Sequence, residues 1–138
     1  MSEAPDPQPL ALEEANSPFG SFLGLKITVA TRDRAEAELT VRPELVNRNG
    51  AMHGGALMAL ADSLAGTASF VGAHAAGYRT TTIESKTNFF QAVRLGETAH
   101  AVSIPLHRGR TTIVWQTTVT RPDGKLAAIV TQTQLVLA

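Results

Sequence analysis

The sequence contains no cysteine. Disulfides, thiolate nucleophiles and cysteine-ligated zinc are thereby excluded, and nothing calls for an oxidising compartment. Net charge is also missing. Twelve Lys and Arg balance twelve Asp and Glu across 138 residues, so no overall field draws the chain to nucleic acid or lipid. A local basic patch can still hold a phosphate. Histidine is scarce: His53, His74, His100 and His107 include no short-spaced ligand pair, so no metal or other cofactor is expected. The opening residues, MSEAPDPQPLALEEA, are acidic and proline-rich without an apolar core, unlike a signal peptide. The long apolar run from Ala56 to Ala76 is interrupted by Asp62, hydroxyls and glycines. It reads as a core helix, not a membrane span. The expected setting is the cytoplasm.

What is present is the composition of one soluble domain, 43% hydrophobic and 17% charged. Three prolines in Met1 to Pro9 predict a flexible arm, and Leu10 to Ala15 a short helix ended by Asn16-Ser17-Pro18. The arm and short helix thus occupy residues 1–16, and a single domain runs from 17 to 138. Phe19, Phe22 and Leu23 form a candidate hydrophobic plug before a strand near Leu25 to Thr31. Ala35 to Arg42 alternates apolar and polar residues, the signature of a strand with one wet face. After an Asn- and Gly-rich loop the period changes. Leu57, Leu60, Ala61, Leu64, Ala65, Ala68 and Val71 recur at three and four residues, a helix enclosed on most sides from about His53 to Gly72. Strands follow at Thr80 to Phe90, with Thr81, Ile83, Ser85, Thr87 and Phe89 on one face, and at Thr98 to His107. Arg108-Gly109 then turns into Thr111 to Thr120, and Pro122-Asp123-Gly124 into Leu126 to Leu137. The expected fold is α+β: a curved antiparallel sheet of about six strands wrapped around one long central helix.

The chemistry concentrates on that helix. His53-Gly54-Gly55 puts two glycines in its first turn, where backbone N–H groups are unpaired and the helix dipole is positive. An oxygen can approach such a position closely, and a carbonyl becoming tetrahedral would be stabilised there. A plain loop-to-helix turn also tolerates small residues, so the glycines alone decide nothing. Asp62 adds weight, because no other Asp, Glu, Lys or Arg lies between His53 and His74. An enclosed carboxylate without a local partner is costly, and such a cost points to function. Gly54 and Asp62 are eight residues apart, about 12 Å along a helix axis. A base must come within about 3 Å of its target. If both serve one site, Asp62 must come from a second copy of the chain.

Read together, Asn47, His53-Gly54-Gly55 and Asp62 form N-x5-H-G-G-x6-D at the start of a long apolar helix with four strands behind it. From about Phe19 onward the chain resembles the hotdog-fold acyl-CoA thioesterases of the phenylacetate-pathway and 4-hydroxybenzoyl-CoA types. The resemblance implies that the Gly54 N–H polarises the thioester carbonyl and that Asp62, from the partner subunit, is general base or nucleophile. It implies that Asn47 positions the attacking group, that Thr82 supplies an assisting hydroxyl and that the His53 ring fixes the loop. It also implies a homodimer, or a dimer of dimers, needing no metal or cofactor, since coenzyme A belongs to the substrate. Contacts to that substrate are expected from Gly55, Phe89, Arg94, Arg108, Gly109 and Arg110. Many members of the family carry Arg-Pro after the aromatic pair, where this chain has Gln91-Ala92. Trp115 and the remaining histidines read as core and surface residues.

Three rivals compete. A hotdog dehydratase would place its acid about fourteen residues after the histidine, against nine here, and needs a proline motif that is missing. A serine hydrolase would need a G-x-S-x-G elbow, which does not occur. A non-catalytic acyl-CoA-binding domain is the third, and leaves the Asn47, Gly54 and Asp62 set without a purpose.

Overall fold

A computed structural model describes residues 15–138. The arm and the helix expected over Leu10 to Ala15 fall almost wholly outside the described residues. The apolar residues at helical spacing condense into α2 (Gly54–His74), against which the sheet packs. Before it come α1 (Pro18–Leu23), β1 (Lys26–Ala30), β2 (Ala35–Thr40) and one 3-10 turn (Pro43–Leu45). After it come β3 (Arg79–Phe89), β4 (Thr98–Arg108), β5 (Thr112–Thr120) and β6 (Leu126–Leu137). All six strands pair antiparallel in one sheet, in the order β1-β2-β4-β5-β6-β3. β4, β5 and β6 form the expected meander. β3 leaves α2 for the far edge and pairs only with β6, so β3 and β4 are consecutive in sequence but not neighbours.

The inward face of the sheet follows the period of two. On β5, Ile113, Trp115, Thr117 and Val119 are buried while the alternate residues are half-buried. α2 lays Leu57, Leu60 and Leu64 onto this surface, and Ala61, Ala65 and Ala68 let the backbones approach closely. Each buried leucine contributes roughly 1.5–3 kcal/mol by leaving water. Helix and sheet are also joined by one polar contact: the Trp115 indole N–H donates to Ser69 Oγ at 2.7 Å, both residues being buried. Ser69→Ala strands that N–H, so unfolding stability should drop by about 1–3 kcal/mol. A urea titration checks this through a lower midpoint at unchanged slope.

Three expectations are corrected. The segment read as a plug is α1, with Ser17 as N-cap accepting the Gly20 N–H and Pro18 at the first helical position. Of its apolar residues only Leu23 enters the core, while Phe19 and Phe22 are exposed. On β3 the strict alternation fails. A bulge between Thr82 and Glu84 adds one residue, so Thr82 joins Ser85 and Thr87 on the inward face, opposite Gln134, Gln132 and Val130. Finally, Asp62, expected to be enclosed, lies exposed on the open face of α2. Among the described residues α2 is the one helix long and apolar enough to cross a membrane, and the sheet wraps it.

Candidate active site

The loop before α2 is held by its own asparagine. Asn47 Oδ1 accepts the N–H groups of Asn49 at 2.9 Å and Ala51 at 3.2 Å, and the Asn47 N–H donates to the Ala51 carbonyl at 2.7 Å. Gly50, with φ at 75°, makes the left-handed turn that closes this small loop. The Met52 N–H donates to the Val93 carbonyl at 2.7 Å, and Ala51 bridges Arg94, so the loop is tied to the segment after β3. Arg94 therefore lies beside the loop, with its side chain exposed and its own N–H donated to Glu97 at 3.0 Å. The side-chain NH2 of Asn47 has no partner among the described residues.

His53 caps α2. Its Nδ1 accepts the Gly55 N–H at 2.9 Å, which requires an unprotonated Nδ1 and places the ring proton on Nε2. Its carbonyl accepts the N–H groups of Ala56 and Leu57. Three of the four donors of the first turn are thus spent inside the protein. The Gly54 N–H alone stays unpaired among the described residues. Side chains stand close over both glycines: a Cβ on Gly55 would be 3.0 Å from His53 Nδ1, and one on Gly54 would be 3.2 Å from Cζ of the exposed Phe89. Gly54, Asn47, Leu57, Phe89 and Val93 line a cavity of ≈330 Å3.

Two turns further along α2, Asp62 meets β3 and β6. Thr82 Oγ1 donates to Asp62 Oδ1 at 2.7 Å, and Gln132 Nε2 donates to the same oxygen at 3.0 Å. Gln134 Nε2 in turn donates to Thr82 Oγ1 at 2.6 Å. The acid is neither enclosed nor unpartnered, contrary to expectation. It opens on two cavities, one of ≈450 Å3 with Phe19, Gly66 and Phe70, the other of ≈500 Å3 with Arg79, Thr82 and Gln134. Neither contains Gly54, so one chain keeps the donor and the acid in separate cavities.

The cationic hairpin forms a third group. Arg108, Gly109 and Arg110 border a cavity of ≈140 Å3 with Arg32, Gly72 and Tyr78, at the C-terminal end of α2. Arg108 faces inward: it donates to the Arg32 carbonyl, lies 3.5 Å from Asp33 and stacks 6.0 Å from the Trp115 ring centroid. Burial, reinforced by Arg32 and opposed by Asp33, holds its pKa below the usual arginine value. Arg110 is exposed, and Gly109 leaves room for His107. No cluster of three or more His, Asp or Glu that could hold a metal occurs among the described residues.

Asn47, His53, Gly54, Gly55, Phe89 and Arg94 thus assemble at the start of α2, and Asp62 with Thr82 at its middle. The hairpin residues stand apart at its end. Sequence reasoning missed Gln132 and Gln134, both 1% exposed. A signal existed: they share the parity of Ala128 and Val130, so the period of two assigns two amides to the inward face of β6.

One long helix wrapped by six antiparallel strands, entered through His-Gly-Gly and carrying one acid, is the hotdog architecture of thioester-cleaving proteins. Residues 49–128 match the thioesterase superfamily, and the chain belongs to that superfamily. Among its relatives is Rv1847 of Mycobacterium tuberculosis, an esterase by name, 34% identical over 131 residues that cover 93% of this chain and 91% of the relative. The solved structure of a point mutant of thioesterase PA1618 from Pseudomonas aeruginosa superimposes with a TM-score of 0.87 at 29% identity, covering 94% and 96% of the two chains. The protein smu.793 of Streptococcus mutans, solved bound to acetyl CoA, superimposes with a TM-score of 0.74 at 25% identity, covering 83% and 89%.

Proposed function

We propose that this thioester hydrolase acts on acyl-CoA, at sites that two copies of the chain build together in the cytoplasm without metal or added cofactor. The observation that carries the reading is the division of labour along α2. One unpaired N–H, at Gly54, and one carboxylate, at Asp62, lie about 12 Å apart on the same helix and open on different cavities. Two copies packed with α2 antiparallel bring each acid to the other's donor. The outer edge of β3, unpaired among the described residues, suits such an assembly, since an edge strand is a template for pairing with another chain. A dimer of dimers is the further expectation.

In that site the Gly54 N–H donates to the thioester carbonyl oxygen and stabilises the charge that develops there, and Asn47 holds the attacking group with its side-chain NH2. Acting as base, Asp62 takes a proton from water as the water oxygen bonds to the carbonyl carbon. The C–S bond then breaks, and the proton passes to the departing thiolate, leaving a free acid, a thiol and the original carboxylate. Acting as nucleophile, Asp62 forms an anhydride that water hydrolyses to the same products. Acyl-CoA is favoured over other thioesters by two features. The smu.793 relative binds acetyl CoA, and the Arg108-Gly109-Arg110 hairpin borders Gly72, ten residues or about 15 Å beyond Asp62 along the helix. An extended phosphopantetheine arm spans that distance.

The test is thiol release from aryl-, short-chain and long-chain acyl-CoAs, with acyl carrier protein thioesters in parallel. Turnover on at least one CoA substrate is expected. Tight binding of acyl-CoA without release of thiol would instead make the protein a binding module.

A further inference from the structure

We infer that Gln132 and Gln134 are positioning residues that dedicate Oδ1 of Asp62 to structure and leave Oδ2 as the oxygen that acts. The inference rests on the hydrolytic reading above and specifies its geometry.

A glutamine NH2 can only donate. With Gln134 Nε2 at 2.6 Å from Thr82 Oγ1, the threonine oxygen is the acceptor in that contact. Gln132 Nε2 lies 3.4 Å from the same oxygen and adds to that side. The single hydroxyl proton of Thr82 is therefore sent the other way, into Asp62 Oδ1 at 2.7 Å. Gln132 supplies a second donor to Oδ1 at 3.0 Å. Two donors thus converge on one carboxylate oxygen, and Oδ2 has no hydrogen-bond partner among the described residues.

The orientation of Gln132 is enforced by the acid. Turning the Gln132 amide over would set its carbonyl oxygen against the carboxylate oxygen that its NH2 now donates to. The cost of the present orientation is visible, because Gln132 Oε1 is buried without a partner. Two fully buried amides beside each other on β6 are an expensive way to fill a core, and an apolar pair would fill the same volume. Their common target is the Thr82 hydroxyl, which donates to the one acid of α2.

Two chemical consequences follow. Thr82 is locked as a donor, so it cannot receive the proton removed from water, and that proton goes to Oδ2. The carboxylate is also fixed in rotation, since Oδ1 is tethered to two strands of the sheet. The acting oxygen therefore meets the substrate in one orientation. Gln134 makes no hydrogen bond to Asp62 in this arrangement and acts through Thr82.

The test uses the full chain with Gln132→Met, Gln134→Met, Thr82→Val and the Thr82→Val/Gln134→Met pair, since methionine keeps the glutamine volume. In Gln132→Met, kcat for thiol release is expected to fall about tenfold or more with KM within about twofold, the loss of one charge-assisted donor. The acid limb of the pH profile should move up relative to the wild type, because a carboxylate that loses a donor is more easily protonated. Gln134→Met should slow the wild-type enzyme but add nothing in the Thr82→Val background. Carbon-13 NMR titration of the Asp62 carboxyl reads the same displacement without any turnover. A wild-type protein silent on every thioester would therefore sink the hydrolytic reading while the titration still decides the network. Unchanged Asp62 titration and unchanged kcat in folded Gln132→Met would overturn the inference, as would an undiminished Gln134→Met effect in the Thr82→Val background.

Discussion

Asp62→Asn should leave a folded protein whose kcat for thioester hydrolysis is lower by about 10²–10⁴-fold, the range supplied by a positioned base. Asparagine keeps the shape of the side chain and an oxygen to accept from Thr82 and Gln132, so the contacts to β3 and β6 survive. Asp62 is exposed in the single chain, so losing its charge removes no buried ion pair. What disappears is the capacity to take a proton or to attack. KM should change little, because the groups proposed to hold the thioester lie elsewhere. Steady-state kinetics beside a thermal melt give the answer. Equal turnover by both proteins would remove Asp62 from the mechanism.

The second large effect is expected at Gly54, where proline deletes the donor with little harm to the helix. Gly54 is the first helical residue, a position where proline is at home because its missing N–H had no helical partner. The residue before a proline must be extended, and His53 already is, at φ −59° and ψ 135°. Gly54→Pro should thus cost about 10²–10³-fold in kcat, as removal of an oxyanion donor does. Gly54→Ala is the control. It keeps the N–H but adds a Cβ 3.2 Å from the Phe89 ring, which is exposed and able to yield. Mixing the two dead proteins then tests the shared site. If Asp62 and Gly54 act across the interface, each mixed dimer regains one intact site. An equal mixture of Asp62→Asn and Gly54→Pro chains should recover roughly a quarter of wild-type activity. If both act within one chain, nothing is recovered.

Much of this was legible in the sequence, for definable reasons. α2 declared itself through apolar residues at three- and four-residue spacing, and β5 through alternation around Trp115, because both patterns follow from the geometry of the element that buries them. Gly54 and Asp62 were separable by counting alone. The bulge at Ile83 was not legible, since neither glycine nor proline marks it, and it alone turns Thr82 toward the helix. The path of β3 to the far edge was hidden too, because pairing between distant strands leaves no local mark. Asp62 was read as enclosed because an exposed helix face of small and apolar residues and one buried in the core share the same composition. α1 was missed although its cap was visible in Ser17-Pro18, because six residues show too little period to outweigh two phenylalanines.

The capped start of α2 has a consequence for which part of a substrate it can recognise. Phosphate cradles present several converging N–H groups to several oxygens. Here His53 consumes the N–H groups of Gly55, Ala56 and Leu57, so an incoming group finds one donor at Gly54. A polyanion gains little from a single contact, whereas a lone carbonyl oxygen is served in full. On the proposed reading, the helix entrance would therefore discriminate between the two ends of a long activated acyl compound, turning away the charged end before any acyl pocket has been consulted.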